Sequence, residues 1–280
     1  MRIYQSYAKI NLGLRVVGKR PDGYHHLESI FQEISLCDDI VFQEWDRLVI
    51  ETDHPTLAVD EHNLCYRAYQ LLASEYGLKK GVKIIIKKKI PLGAGLGGGS
   101  SNAATSLKAL AEIFQLDLTV PEFFKLATRL GSDVPFFILG KTALVKGRGE
   151  VVIPISFLQD YQIGLVYPGF QISTAQIFSN FEMGLTKYRG NIKFDAVIFK
   201  IRSLEELNNY LFNDLESIVT RLYPEIKNIK RILQNNGARF VSLSGSGSTV
   251  YGLFEKHKEI DDLKKEFPAH YQVFIAQPRG

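Results

Sequence analysis

The chain has 280 residues, 45% of them hydrophobic and 23% charged, and a formal net charge of +4 at pH 7. That is the balance of a soluble protein with room for one large or two ordinary domains. The basic excess is too small and dispersed to point to nucleic acid, and no apolar run approaches the roughly 20 residues of a membrane helix. The two cysteines, Cys37 and Cys65, cannot build a disulfide framework and sit at no metal-ligand spacing; with no signal-like N-terminal apolar core, a cytoplasmic location is expected.

Alternating apolar residues from Arg2 to Val17 predict a strand, closed by the turn cluster Gly18 to Gly23. Strands are expected at Glu28–Leu36 and Ile40–Phe42. Asn63 stands as an N-cap before a helix through Leu64, Ala68, Leu71, Leu72 and Tyr76, which Gly77 stops. A β-branched strand follows at Val82–Lys87. After a glycine-rich loop, Ala103, Leu107, Leu110, Ala111 and Phe114 recur at helical spacing, and Pro121 opens a further helix to Leu130. Short strands are expected between Gly147 and Pro154. Beyond Tyr161 come strands at Gln162–Val166, Arg239–Leu243, Thr249–Phe254 and Tyr271–Ile275. Helices are expected at Thr174–Asn180, Leu204–Tyr210, Asp214–Arg221, Pro224–Asn235 and Ile260–Lys265. Strands and helices mix without strict alternation, which predicts an α+β fold of two lobes, residues 1–155 and 156–280, with a soft boundary between Val152 and Tyr161.

The segment Pro91-Leu92-Gly93-Ala94-Gly95-Leu96-Gly97-Gly98-Gly99-Ser100-Ser101 joins a strand to a helix. Glycines allow positive φ and close backbone approach, and the N–H groups of a helix N-terminus attract anions. Gly93, Gly95 and Gly98 fit G-x-G-x-x-G, but no strand ending in an acidic residue follows about 20 residues on, as a dinucleotide fold requires. A Walker A loop needs Lys after its last glycine, where this chain has Gly99. A ligand-free tight turn is disfavoured, because so many glycines destabilise a loop that nothing exploits. A phosphate cradle outside both common motifs remains.

This loop, continued through Asn102-Ala103-Ala104, resembles the nucleotide loop of the GHMP kinases. Ala8-Lys9-Ile10-Asn11-Leu12 resembles that family's first motif, Gly131-Ser132-Asp133-Val134-Pro135-Phe136-Phe137 its catalytic aspartate segment, and Leu243-Ser244-Gly245-Ser246-Gly247-Ser248 its C-terminal glycine motif. Arg20-Pro21-Asp22-Gly23-Tyr24-His25 resembles a segment of those members whose acceptor carries a cytidine diphosphate. The segments keep the family's order from Ala8 to Ser248. The resemblance implies a ribosomal-protein-like α+β N-terminal lobe, a ferredoxin-like C-terminal lobe, and ATP with Mg²⁺ as cofactors.

It also implies roles. Asp133 would accept the proton of the acceptor hydroxyl, although an aspartate before an apolar run is more often a cap or turn residue. Lys9 would hold that carboxylate ionised, against the ordinary alternative of an edge-strand lysine reaching for solvent. Asn11, two residues on, shares a strand face with Lys9 and would position the acceptor. Tyr24 would stack on cytosine, His25 bond its edge, and Phe178 close the other side, where spacing alone suggests aromatic packing. Pro91, Gly93, Ala94, Gly95, Leu96, Gly97, Gly98, Gly99, Ser100 and Ser101 would hold the triphosphate, and Asn63 and Leu64 would meet adenine, although capping already explains Asn63. Ser244, Gly245, Ser246 and Gly247 would approach phosphates and acceptor, or form only a small-residue turn. Thr174 is a further acceptor contact, even though the proline that often follows in the family is Ala175 here. Lys87, Lys88 and Lys89 are left aside as mostly solvent-facing. Metal ligands are not assigned. Competing functions are a family member acting on a mevalonate- or homoserine-like alcohol, a catalytically dead nucleotide-binding regulator, and a nucleic-acid module.

Overall fold

A computed structural model describes residues 1–181 and 193–280. Its residues group into two compact units, each assembled from separate stretches of chain: residues 1–8, 37–90 and 97–140 in one, residues 9–36, 91–96 and 141–280 in the other.

Two long strands, β1 (Arg2–Lys19) and β2 (His25–Trp45), pair and thread through both units. In the first unit, β2 pairs antiparallel through Asp39–Trp45 with β4 (Gly81–Lys87), and the short β3 (Val49–Thr52) runs parallel to β4. Helices α1 (Leu64–Tyr76), α2 (Gly98–Ile113), α3 (Val120–Leu130) and α4 (Val134–Leu139) complete this unit. Ile40, Phe42, Ile84, Ile86, Leu72, Leu107, Leu110 and Phe136 are buried in its core. The caps match the local chemistry. Asn63 Oδ1 accepts from the Cys65 N–H at 2.8 Å, and Gly77 ends α1 with φ +66°. Thr119 and Glu122 form a capping box on α3.

In the second unit, β2 pairs through Leu27–Gln32 with β5 (Thr142–Gly147), which pairs with β6 (Val151–Pro154). A separate antiparallel sheet has the order β10–β7–β9–β8, from β7 (Tyr161–Tyr167), β8 (Phe240–Leu243), β9 (Val250–Glu255) and β10 (Gln272–Ala276). The helices are α5 (Thr174–Ser179), α6 (Phe194–Val197), α7 (Leu207–Tyr210), α8 (Glu216–Leu222) and α9 (Pro224–Asn235). Ile218, Ile226, Ile229 and Leu233 from α8 and α9 join Val166, Leu243, Val250 and Phe254 in one core cluster.

Several elements differ from expectation. The two strands expected at 28–36 and 40–42 are one, because the intervening Asp38 is buried with its carboxylate satisfied. Both β3 and α4 were not expected. Residues 261–266 form a 3₁₀ segment where an α-helix was expected, and α7 holds only the last turn of its expected span. Among the described residues no helix is long and apolar enough to cross a membrane.

Candidate active site

Strand β1 carries Lys9 and Asn11 on one face, as alternation requires. Lys9 is 3% exposed, and its ammonium donates to Asn11 Oδ1 at 2.6 Å while lying 4.6 Å from the centre of the Phe31 ring. Asn11 Nδ2 donates to Ser29 Oγ at 2.9 Å, which fixes the amide so that its oxygen faces the ammonium. A lysine this buried is held in one position by hydrogen bonds and a ring face rather than reaching for water.

Two glycine turns meet around this lysine in the same unit. The Lys9 N–H donates to the Leu96 carbonyl at 3.0 Å, which docks the first turn on β1. Gly95 has φ +79°, and a Cβ there would overlap the Ser244 carbonyl oxygen. Ser244 Oγ donates to the Gly95 carbonyl at 2.9 Å, and the Thr249 N–H to the Ala94 carbonyl at 3.2 Å. The second turn is held in place by Asn213, whose Nδ2 donates to the carbonyls of Leu243 at 2.9 Å and Gly245 at 2.8 Å. A Cβ on Gly245 would stand 3.4 Å from Asn11 Oδ1 and 3.8 Å from Lys9 Nζ, so this turn passes directly over the lysine. Thr174, the first residue of α5, shares a 2.7 Å hydrogen bond between its Oγ1 and Ser246 Oγ. Ala175 in place of the family's proline therefore leaves the threonine bonded to the glycine turn. Gly93, at φ +61°, lies against the Gln171 side chain.

The base-recognition candidates sit in this unit as well. His25 and Phe178 stack directly on each other, with ring centres 4.9 Å apart and planes at 24°. A base held by Phe178 must take its other face or displace the imidazole. Burial, with a smaller effect of the Lys19 charge, holds the His25 pKa below its usual value. Tyr24 is 56% exposed, and the Arg148 guanidinium covers one face of its ring at 4.6 Å.

The first unit holds the remaining candidates. Helix α2 starts after Gly97 (φ +70°), which offers no side chain to cap the first-turn N–H groups, the kind of helix start that attracts anions. Gly98 is buried where a Cβ would stand 2.9 Å from Ile90 Cγ2, while Gly99 is exposed and open except for Leu64 at 3.8 Å. Ser101, expected to help hold the triphosphate, has its hydroxyl and its N–H engaged within the fold. It is 2% exposed, its Oγ accepts from Ser6 Oγ at 2.7 Å, and its N–H donates to the Gly97 carbonyl. Ser101 thus locks the helix start, and Ser100 presents the more accessible hydroxyl. Both polar ends of Asn63 are engaged, Oδ1 by Cys65 and Nδ2 by the Ala58 carbonyl at 2.6 Å. Leu64, next to Gly99, is the better-placed apolar neighbour for a nucleotide. Asp133 directly precedes α4, yet its side chain does not cap that helix. The cap explanation for this carboxylate is removed.

Residues that sequence patterns did not single out include Asn213, Ser29, Arg148, and the buried pair of Lys88 and Asp38.

Helix N–H groups and glycine turns hold phosphate by position and neutralise its charge, which is most of what phosphoryl transfer asks of a protein. The class is that of the nucleotide-dependent phosphotransferases. Residues 63–141 match the model described as GHMP kinases N terminal domain, and residues 196–273 match GHMP kinases C terminal. The chain is 42% identical over 271 residues to 4-diphosphocytidyl-2-C-methyl-D-erythritol kinase of Thermodesulfovibrio yellowstonii, which covers 95% of this chain and 94% of that one. A crystal structure of 4-(cytidine 5'-diphospho)-2C-methyl-D-erythritol kinase superposes with TM-score 0.79 at 31% identity, over 99% of both chains. The mevalonate kinase of Methanococcus jannaschii shares the fold at TM-score 0.80 and 18% identity, over 100% of this chain and 98% of that one. The chain belongs to the GHMP kinases. It has their α+β fold, it is a phosphotransferase, and membership implies use of ATP.

Proposed function

We propose that this kinase transfers the γ-phosphate of ATP to the 2-hydroxyl of 4-diphosphocytidyl-2-C-methyl-D-erythritol, a step in non-mevalonate isoprenoid precursor synthesis. The geometric observation that carries the chemistry is the buried Lys9 ammonium beneath the meeting of two glycine turns. The name borne by relatives along almost the whole chain supports the choice of acceptor.

The Asp133 carboxylate takes the proton of the acceptor hydroxyl as its oxygen bonds to the γ-phosphorus. The bond from that phosphorus to the β–γ bridging oxygen breaks, and ADP leaves with the electron pair. Lys9 offsets negative charge at the hydroxyl, and Asn11 orients both the ammonium and the acceptor. Backbone N–H groups from Gly93 through Ser100 cradle the triphosphate, with Ser101 locking the helix start beneath them, Pro91 entering the loop and Leu64 flanking the adenine. Mg²⁺, when bound, neutralises phosphate charge. The Ser100 hydroxyl is the oxygen donor of the loop suited to such a hard cation, which keeps most of its waters. Tyr24, His25 and Phe178 hold the cytidine, and Thr174 with Ser244 to Gly247 faces the acceptor. Residues 1–155 form the nucleotide-binding and catalytic lobe and residues 156–280 the lobe completing the acceptor site, in a cytoplasmic enzyme.

A panel of alcohols offered with ATP and Mg²⁺, read by ADP release, tests the acceptor. Turnover confined to the cytidine diphosphate acceptor supports the proposal. Turnover of mevalonate or homoserine in its place refutes it.

A further inference from the structure

Ahead of the glycine loop, strand β4 runs out through Lys88, Lys89 and Ile90; behind it, α2 begins. Both stems belong to the first unit, and both converge on one side chain. Asp38, on β2, is 0% exposed. Its Oδ1 accepts from the N–H groups of Lys89 at 2.8 Å and Ile90 at 2.9 Å. Its Oδ2 accepts from Asn102 Nδ2 at 2.9 Å and from the Lys88 ammonium. Asn102 also donates to Ser6 Oγ at 2.9 Å, and Ser6 in turn donates to Ser101 Oγ at 2.7 Å. The carboxylate therefore ties the strand exit to the first turns of the helix. The stems are close enough that a Cβ on Gly98 would lie 3.2 Å from Lys88 Nζ.

We infer that Asp38 is a positioning residue for ATP: it sets the spacing of the two stems, and through them the aim of the N–H groups that hold the phosphates. A loop this rich in glycine loses much conformational freedom on ordering and has few side chains with which to hold its shape. Bonds to the carbonyls of Ala94, Gly95 and Leu96 hold its middle, and at its ends two backbone donors plus Asn102 fix the stems on Asp38. Lys88 has a second use. An uncompensated carboxylate this near a polyphosphate would oppose binding, whereas the ion pair, at 2% and 0% side-chain exposure, is neutral. An amide at position 38 keeps one acceptor oxygen but turns an N–H₂ group toward other donors.

The inference rests on the loop's being the nucleotide site, so the first measurement is binding of methylanthraniloyl-ADP to the wild-type enzyme by fluorescence titration. Failure there overturns the nucleotide-loop assignment, not the role of Asp38. Given wild-type binding, Asp38→Asn is expected to weaken it about tenfold, as the loss of a charge-assisted hydrogen bond does. The KM for ATP should rise in parallel and the KM for the acceptor stay within about twofold. Asn102→Ala removes the helix tie together with the bond to Ser6 Oγ and leaves the ion pair, so it serves if the first variant does not fold; about a fivefold loss of nucleotide affinity is expected. Wild-type nucleotide affinity in a folded Asp38→Asn or in Asn102→Ala overturns the inference, as does an equal loss for both substrates.

Discussion

Replacing Gly99 with alanine separates the demands of ligand and fold. Gly99 is the second residue of α2, exposed, and an added Cβ would meet only Leu64 Cδ1 at 3.8 Å, an ordinary contact. Nothing in the fold requires glycine there. Alanine removes part of glycine's entropic cost, and since the first turn is less constrained than a helix interior the gain is about 0.5 kcal/mol. For a chain of this size that raises Tm by roughly 1–2 °C. The bound nucleotide gives the opposite sign. A helical Cβ tilts toward the N-terminus, into the space an anion occupies when bonded to the first-turn N–H groups. Losing one such bond weakens ATP binding about tenfold, or roughly 1.4 kcal/mol. A melt without nucleotide and an ATP saturation curve measure the two effects. A lower Tm with unchanged KM for ATP would refute the reasoning and return Gly99 to a purely structural role.

Gly95→Ala should behave otherwise: positive φ costs about 1–2 kcal/mol and the clash with the Ser244 carbonyl another 1–3. Gly23→Ala, at φ +84° in open space, bears the strain alone, so equal losses for the two in urea unfolding would contradict the assigned clash. Asp133→Asn should keep its Tm and lose about 10²- to 10⁴-fold in kcat; steady-state rates near wild type would remove it as the base. The pKa of His25 is lowered in the fold by burial and by Lys19, so on acidification the unfolded chain takes up the proton first. The stability this site contributes is complete above about pH 6.5 and falls as pH drops through that value toward the lower folded one. In Tm measured from pH 7.5 to 5, His25→Gln should flatten the decline, and an unchanged slope counts against the assignment.

What sequence could reveal followed the range of the interactions involved. Local chemistry was legible: the Asn63 cap and Gly77 stop bracket α1 where expected, and the two-residue spacing of Lys9 and Asn11 placed their side chains together. Long-range partners were not. The Cys37-Asp38-Asp39 stretch looked like a break between strands because nothing nearby announced Lys88, Lys89, Ile90 and Asn102, the groups that let a carboxylate be buried in β2. Short elements escaped for the same reason. The four residues of β3 are fixed by pairing with β4, and the six of α4 by packing against α2 and α3. In the site, Ser101 resembled a phosphate ligand until its hydroxyl was found bonded to Ser6, 95 positions away. Arg148 over Tyr24 had no local signature at all.

The central claim is the identity of the acceptor and of the oxygen phosphorylated. Purified enzyme incubated with ATP, Mg²⁺ and 4-diphosphocytidyl-2-C-methyl-D-erythritol, followed by phosphorus NMR, addresses both at once. The expected spectrum shows ADP with a new phosphomonoester resonance that lacks three-bond splitting by a carbon-bound proton, as esterification at the proton-free C2 position requires, the diphosphate bridge remaining intact. No monoester with this acceptor, beside turnover of another alcohol under the same conditions, would contradict the claim.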